Sequence, residues 1–185
     1  MEVAKPFFIQ GKGETITNEE IFERFHLYHP YTVELGPGKH GPLMSDSILK
    51  IGYTPAADPN CNIYTDLNWG MPVADNSVYL IKSNQVLEHI SDIIHLMNDM
   101  WRVLVPGGIM KHVVPHHSSP YAWGDPTHVR AFSEVSFQYF CQREDGTPFV
   151  EKFSDYGIVC NFILKEQVVI TGSEVRVVMH KPGSD

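Results

Sequence analysis

The residues with the most chemistry to offer stand in one polar loop, His116-His117-Ser118-Ser119-Pro120-Tyr121-Ala122-Trp123-Gly124-Asp125-Pro126-Thr127-His128. His116, His117, Asp125 and His128 can each accept a proton, and an imidazole does so near neutral pH. The same four side chains are capable metal ligands, but their spacing matches no zinc signature and no metal centre is expected. Tyr121 and Trp123 can shape a substrate pocket. A second candidate is Val33-Glu34-Leu35-Gly36-Pro37-Gly38. A strand that ends in glycines lets the backbone approach a ligand closely, and Glu34 can hold a ligand amine or hydroxyl. Taken alone, this hexapeptide reads equally well as a plain turn.

These residues need a frame, and the stretch from Val78 to Pro115 supplies one. Val78 to Ser83 is short and largely apolar, as a strand covered on both faces should be. Ser91 is the expected cap of the next helix, and Asp92 suits the positive end of its dipole. Ile93, Ile94, Met97, Met100, Trp101 and Leu104 recur at helical spacing and form an apolar stripe. Pro106, Gly107 and Gly108 stop that helix, and Ile109 to Val114 is the next strand. This is a strand–helix–strand unit of a parallel sheet, which binds ligands at the carboxyl ends of its strands.

The flanks extend the pattern. Thr17 to Tyr28 reads as a helix, with a cap and an acidic first turn in Thr17-Asn18-Glu19-Glu20. Tyr31 to Leu35, Ile48 to Tyr53 and Cys61 to Asp66 read as strands, and Met1 to Lys12 as a loose arm or an added pairing strand. Ser133 to Phe140 is a predicted helix capped by Ser133. Ile158 to Thr171 and Glu174 to His180 read as an antiparallel hairpin around Gly172-Ser173. The fold class is therefore α/β, a doubly wound, mostly parallel sheet with a C-terminal antiparallel hairpin. One domain over residues 1–185 is expected, with an N-terminal arm and helix over 1–30, a ligand-binding core over 31–140 and the hairpin over 158–180.

Composition narrows the function classes. With 185 residues and 43% hydrophobic content, the chain can bury a proper core. A net charge of −8 argues against general nucleic-acid binding, which needs clustered Lys and Arg. No apolar run is long enough for a membrane span, and the N-terminus has no signal-peptide pattern. Cys61, Cys141 and Cys160 are widely spaced and odd in number, so they read as reduced thiols of a cytoplasmic protein. Of the ten histidines, His112 falls inside a strand and reads as structural. His26, His29, His40, His95 and His180 are scattered and read as surface or packing residues.

Asp66-Leu67, Asn84-Gln85-Val86-Leu87-Glu88-His89-Ile90, Arg102-Val103-Leu104 and Pro106-Gly107-Gly108 together resemble the class I S-adenosylmethionine-dependent methyltransferases. The likeness is to the small members with a VLEHI and RVL-PGG signature (methyltransferase type 11), and it covers roughly Tyr31 to Phe140. It implies the strand order 3-2-1-4-5-7-6 and S-adenosylmethionine as cofactor. Glu34, Gly36 and Gly38 match the first motif, where glycines make room for the methionine part. Asp66 and Leu67 match the residues beside the adenine ring. Asn84, Gln85 and Val86 match the loop facing the sulfonium end, and His89 the histidine at the helix entry. The family ends its second strand with an acid that binds the ribose hydroxyls. Ile51-Gly52-Tyr53-Thr54-Pro55 offers none, so Asp58 is the expected substitute. The Lys39 to Ser47 crossover leaves room for a very short first helix or none.

By that resemblance the chain transfers a methyl group to a small-molecule or glycan acceptor, with His116, His117, Asp125 and His128 facing it. The alternative is a catalytically degenerate protein that keeps the fold and serves as a binding or scaffold subunit.

Overall fold

The computed structural model describes residues 5–39, 48–58, 60–151 and 154–183. His40 and all of the Lys39 to Ser47 crossover except Lys39 lie outside the described residues. Among the described residues nine strands form one sheet: β1 (Phe7–Phe8), β2 (Tyr31–Leu35), β3 (Ile48–Gly52), β4 (Ile63–Tyr64), β5 (Val78–Asn84), β6 (Leu104–Pro115), β7 (Cys141–Gln142), β8 (Phe162–Ile170) and β9 (Glu174–His180). Their order is β1-β4-β3-β2-β5-β6-β9-β8-β7. Pairing is parallel from β1 through β6, and antiparallel between β6 and β9 and between β9 and β8. Without the two short edge strands, β1 and β7, the order is the one the family resemblance implies. Among the described residues no helix is long and apolar enough to cross a membrane.

Among the described residues three α-helices accompany the sheet: α1 (Asn18–Phe25), α2 (Ile93–Val103) and α3 (Pro120–Gly124). α1 starts with a capping box, in which Thr17 Oγ1 accepts from Glu20 N and Thr17 N donates to Glu20 Oε2. The helix stops three residues short of the expected Tyr28, because His26 turns into the left-handed region and caps it. α2 buries Ile93, Leu96, Met97, Met100 and Val103. Each such side chain taken from water stabilises the fold by about 1.5–3 kcal/mol. Arg102 fixes α2 to the preceding connection. Its guanidinium pairs with Asp99 and Asp75 at 2.5 Å each and donates to the carbonyls of Val73 and Met71.

Four local expectations are corrected. Asp92, not Ser91, caps α2, its Oδ1 accepting from His95 N. The Ser91 N–H and hydroxyl both donate to Asn68 Oδ1 instead. The apolar side of α2 runs through Leu96 and Val103, whereas Ile94 and Trp101 are half-buried. Pro106-Gly107-Gly108 does not separate helix from strand. β6 begins at Leu104, and these residues form an irregularity in its pairing with β5. Ser133 to Phe140 gives no α-helix, only turns and a single 3₁₀ turn at Gln138–Phe140. There Phe132 and Phe137 stack with ring centroids 5.2 Å apart, which folds the segment back on itself.

His112 sits inside β6, 1% exposed, with its Nδ1 2.7 Å from Ser83 Oγ. Burial drives its pKa down to about 3. The folded value lies below the unfolded value of about 6.5, so the neutral ring contributes stability above pH ~6.5 that is lost as pH falls toward the folded pKa. We expect the His112 ring to stay neutral at pH 5 by NMR. Protonation linked to this ring should remove roughly 2–3 kcal/mol of stability between pH 7 and pH 4.5, read as the urea-unfolding difference between wild type and His112→Asn. A ring that titrates near 6.5 in the folded protein contradicts this.

Candidate functional site

A cleft of about 570 Å³ opens at the carboxyl ends of β2, β3 and β5. β2 is the point where the sheet order reverses, since the chain builds β3 and β4 on one side of it and β5 and β6 on the other. Loops on the two sides diverge there and leave a crevice. Gly36 and Gly38 line it after β2, Asp58 after β3, Asp66 and Leu67 after β4, and Gln85, Val86 and His89 after β5. The remaining two of the expected cofactor residues lie elsewhere. Glu34 and Asn84 line a separate depression on the sheet with Lys82, Lys111 and Arg176. Strand alternation explains it. Val33 and Leu35 are buried on one face, so Glu34 points to the other, in register with Lys82.

Backbone geometry shapes the cleft wall. Gly36 has φ +55°, and a Cβ there would meet Val86 Cγ2 at 2.7 Å. Gly38 has φ +67°, and among the described residues no atom lies within 4 Å of where a Cβ would stand. Gln85 adopts φ 56°, a left-handed conformation that costs a non-glycine residue about 1–2 kcal/mol. It is held there as Gln85 N donates to the Val113 carbonyl at 2.9 Å. Asp58 ties two loops together. Its Oδ1 accepts from Gly38 N at 2.8 Å and its Oδ2 from Tyr53 N at 2.9 Å. Each oxygen keeps a further lone pair. Asp66 caps the 3₁₀ turn Leu67–Trp69 by accepting from Asn68 N.

The loop after β6 falls into two clusters. In one, buried His116 lies 3.3 Å from Glu134 Oε1 through Nε2 and 2.7 Å from Ser118 Oγ through Nδ1. The His117 ring is tilted against His116 with centroids 4.3 Å apart. In the other, His128 Nε2 stands 3.9 Å from both Glu88 Oε1 and Asp125 Oδ2. Thus the four expected catalytic residues are brought together in pairs, and Thr127, not these four, reaches the cleft lining. Glu88 was not among the expected site residues. It is fully buried, and burial pushes its carboxyl up to about 7 against the opposing pull of His128. Only its place beside His89 in Leu87-Glu88-His89 hinted at it.

If the Asp58 carboxylate holds the wall together, Asp58→Ala leaves two backbone N–H groups without their acceptor. We expect a loss of about 2–4 kcal/mol in urea unfolding. A loss below about 0.5 kcal/mol means the loops are held by other contacts.

Comparison with known proteins agrees with this architecture. Residues 59–111 match the family model described as a methyltransferase domain. No protein of curated function matches the sequence. Among solved structures, a chain from the complex of the Haloferax volcanii Trm112 methyltransferase activator with a candidate methyltransferase aligns at TM-score 0.57 and 15% identity, over 95% of this chain and 85% of that one. A Thermotoga maritima S-adenosylmethionine-dependent methyltransferase, described as a possible histamine N-methyltransferase, aligns at TM-score 0.58 and 12% identity, over 82% of each chain. The cyclase SpnF aligns at TM-score 0.53 and 12% identity, over 83% of this chain and 78% of that one. S-adenosylmethionine is the cofactor implied, and the cleft suits it. The wall at Gly36 would be filled by a Cβ, the Gly38 backbone is open among the described residues, and Leu67 and Ile51 offer apolar surface. In fold the chain is similar to the class I S-adenosylmethionine-dependent methyltransferases, and its segment 59–111 matches a methyltransferase domain.

Proposed function

We propose that this protein transfers the methyl group of S-adenosylmethionine to a small-molecule or glycan acceptor. The observation that carries the reading is the cleft at the switch point, whose wall holds Gly36, Gly38, Asp58, Asp66, Leu67, Gln85, Val86 and His89. In this reading Gly36 and Gly38 make room for the methionine part, and Asp66 and Leu67 flank the adenine. The spare lone pairs of Asp58 accept from the ribose hydroxyls, the role that an acid at the end of the strand would otherwise have. Gln85, Val86 and His89 lie toward the sulfonium.

The bound cofactor supplies a carbon already activated for in-line displacement. The chain has to align the nucleophile and keep water out. In this reading the loop after β6, which reaches the cleft through Thr127, turns His116, His117, Asp125 and His128 toward the acceptor, and an imidazole among them takes its proton when the nucleophile is a hydroxyl or a protonated amine. Tyr121 and Trp123, 78% and 67% exposed on α3, offer flat apolar faces against which a sugar or a planar small molecule can stack. Three buried thiols, Cys61, Cys141 and Cys160, fit a reducing compartment, and the reading places the protein in the cytoplasm.

A second reading, a binding or scaffold subunit without catalysis, is favoured by one feature. Among the described residues, the only carboxylate near the end of β3 that lines the cleft, Asp58, already accepts two backbone N–H groups. Calorimetric titration separates the two. Binding of S-adenosylmethionine and of its demethylated product is expected, weakened at least tenfold in Gly36→Ala, where the new Cβ would meet Val86. Absence of heat at sub-millimolar protein and ligand removes the cofactor and leaves the scaffold reading.

A further inference from the structure

The segment Thr127-His128-Val129-Arg130 is fastened along Glu88-His89-Ile90-Ser91. Val129 N donates to the Glu88 carbonyl at 2.9 Å. Arg130 donates to the carbonyls of Ile90 and Ser91 at 2.8 and 2.7 Å. This brings together Glu88, His89 and His128, one ligand-type atom of each lying within 4.8 Å of the others. Glu88 is 0% exposed, and neither of its carboxylate oxygens has a hydrogen-bond partner among the described residues. An unpartnered carboxyl at full burial is costly and calls for a compensating group.

The hydrogen bonds behind the histidines fix which nitrogen carries the lone pair. His128 Nδ1 lies 3.2 Å from the Ala122 carbonyl, which can only accept, so Nδ1 bears the proton and Nε2 is free to ligate. Asp125 Oδ1 accepts from Thr127 N at 2.8 Å and from Thr127 Oγ1 at 2.6 Å. Thr127 Oγ1 has thereby used its proton and must accept from His89 Nδ1, 3.0 Å away. His89 Nε2 is therefore also a lone-pair donor. Asp125 Oδ2 stays available on the His128 side, 3.9 Å from Nε2. The same 3.9 Å separates Nε2 from Glu88 Oε1. That is too long for a hydrogen bond and within the span of two metal bonds of roughly 2.0–2.1 Å each.

We propose that Glu88, His89 and His128 bind one divalent transition-metal ion at the rim of the cleft. Two imidazoles and a carboxylate suit zinc, manganese or ferrous iron. The other histidine cluster does not qualify, because both ring nitrogens of His116 already face Glu134 and Ser118. His89 and Thr127 line the cleft, so an open coordination position can hold an oxygen of the acceptor. That role rests on the methyl-transfer reading; the metal site itself does not.

The test uses the full untagged chain, stripped with chelator and titrated with Co²⁺ followed by visible absorption, then with Zn²⁺ as competitor. We expect saturation at one equivalent. Binding should weaken at least tenfold in Glu88→Gln, His89→Ala and His128→Ala and stay unchanged in His116→Ala. Absence of binding up to millimolar Co²⁺, wild-type affinity in the first three variants, or loss in His116→Ala each overturns the site. Should Glu88→Gln fail to fold by circular dichroism, His89→Ala decides, since that side chain is exposed. Titration with S-adenosylmethionine in chelator reads the cofactor separately, so failure of one claim leaves the other standing.

Discussion

Everything at the ligand end of this molecule depends on β2 pairing in parallel with both β3 and β5. Because the chain leaves β2 toward one side and later returns on the other, the loops after these strands cannot cover one another. The crevice between them is a consequence of topology before any side chain is chosen. Side chains then hold it open. Val86 packs where Gly36 lacks a Cβ, and the Asp58 carboxylate binds the loop after β2 to the loop after β3. Gln85 accepts a strained backbone at the end of β5, an arrangement that persists only where surrounding structure over-determines it.

The parts of this architecture that were legible in the sequence are those set by near neighbours. Thr17 and Glu20 are three residues apart, so the capping box of α1 is written locally. The apolar runs of β5 and β6 and the glycine turn between β8 and β9 are equally local. What the sequence hid was set by distant partners. Ser91 looks like a cap, but Asn68 reaches across from the turn after β4 and takes its N–H, which moves the cap to Asp92. Ser133 and Glu134 look like the cap and first turn of a helix, yet the ring pair Phe132–Phe137 draws the segment into turns.

The site was legible to the same extent and for the same reason. Glycines and short motifs at strand ends marked the cleft, because a strand end fixes where its next residues go. Glu34 and Asn84 belong to the same motifs, but they sit on strand positions whose side chains leave along the sheet face. His116 and His117 are neighbours of Asp125 and His128 in sequence only. The intervening α3 separates them, and each pair finds its acid elsewhere, Glu134 for one and Glu88 for the other.

Glu88 shows why its chemistry could not be read from spacing. A glutamate next to a histidine at a helix entry is ordinary until something buries it. The burying segment arrives forty residues later, and it docks through the Glu88 carbonyl itself, which accepts from Val129 N. The contact that removes the carboxyl from water is thus the contact that delivers His128 and Asp125 beside it. Burial alone would favour expulsion or neutralisation of the group. Burial together with two oriented imidazoles changes the balance, because the same low-dielectric surroundings that penalise a lone charge strengthen its attraction to a cation. A surface loop that only covered the cleft would need none of this. The tautomer-fixing bonds from Ala122 and Thr127 give the loop a chemical purpose beyond packing, and they place that chemistry at the edge of the crevice that the sheet topology creates.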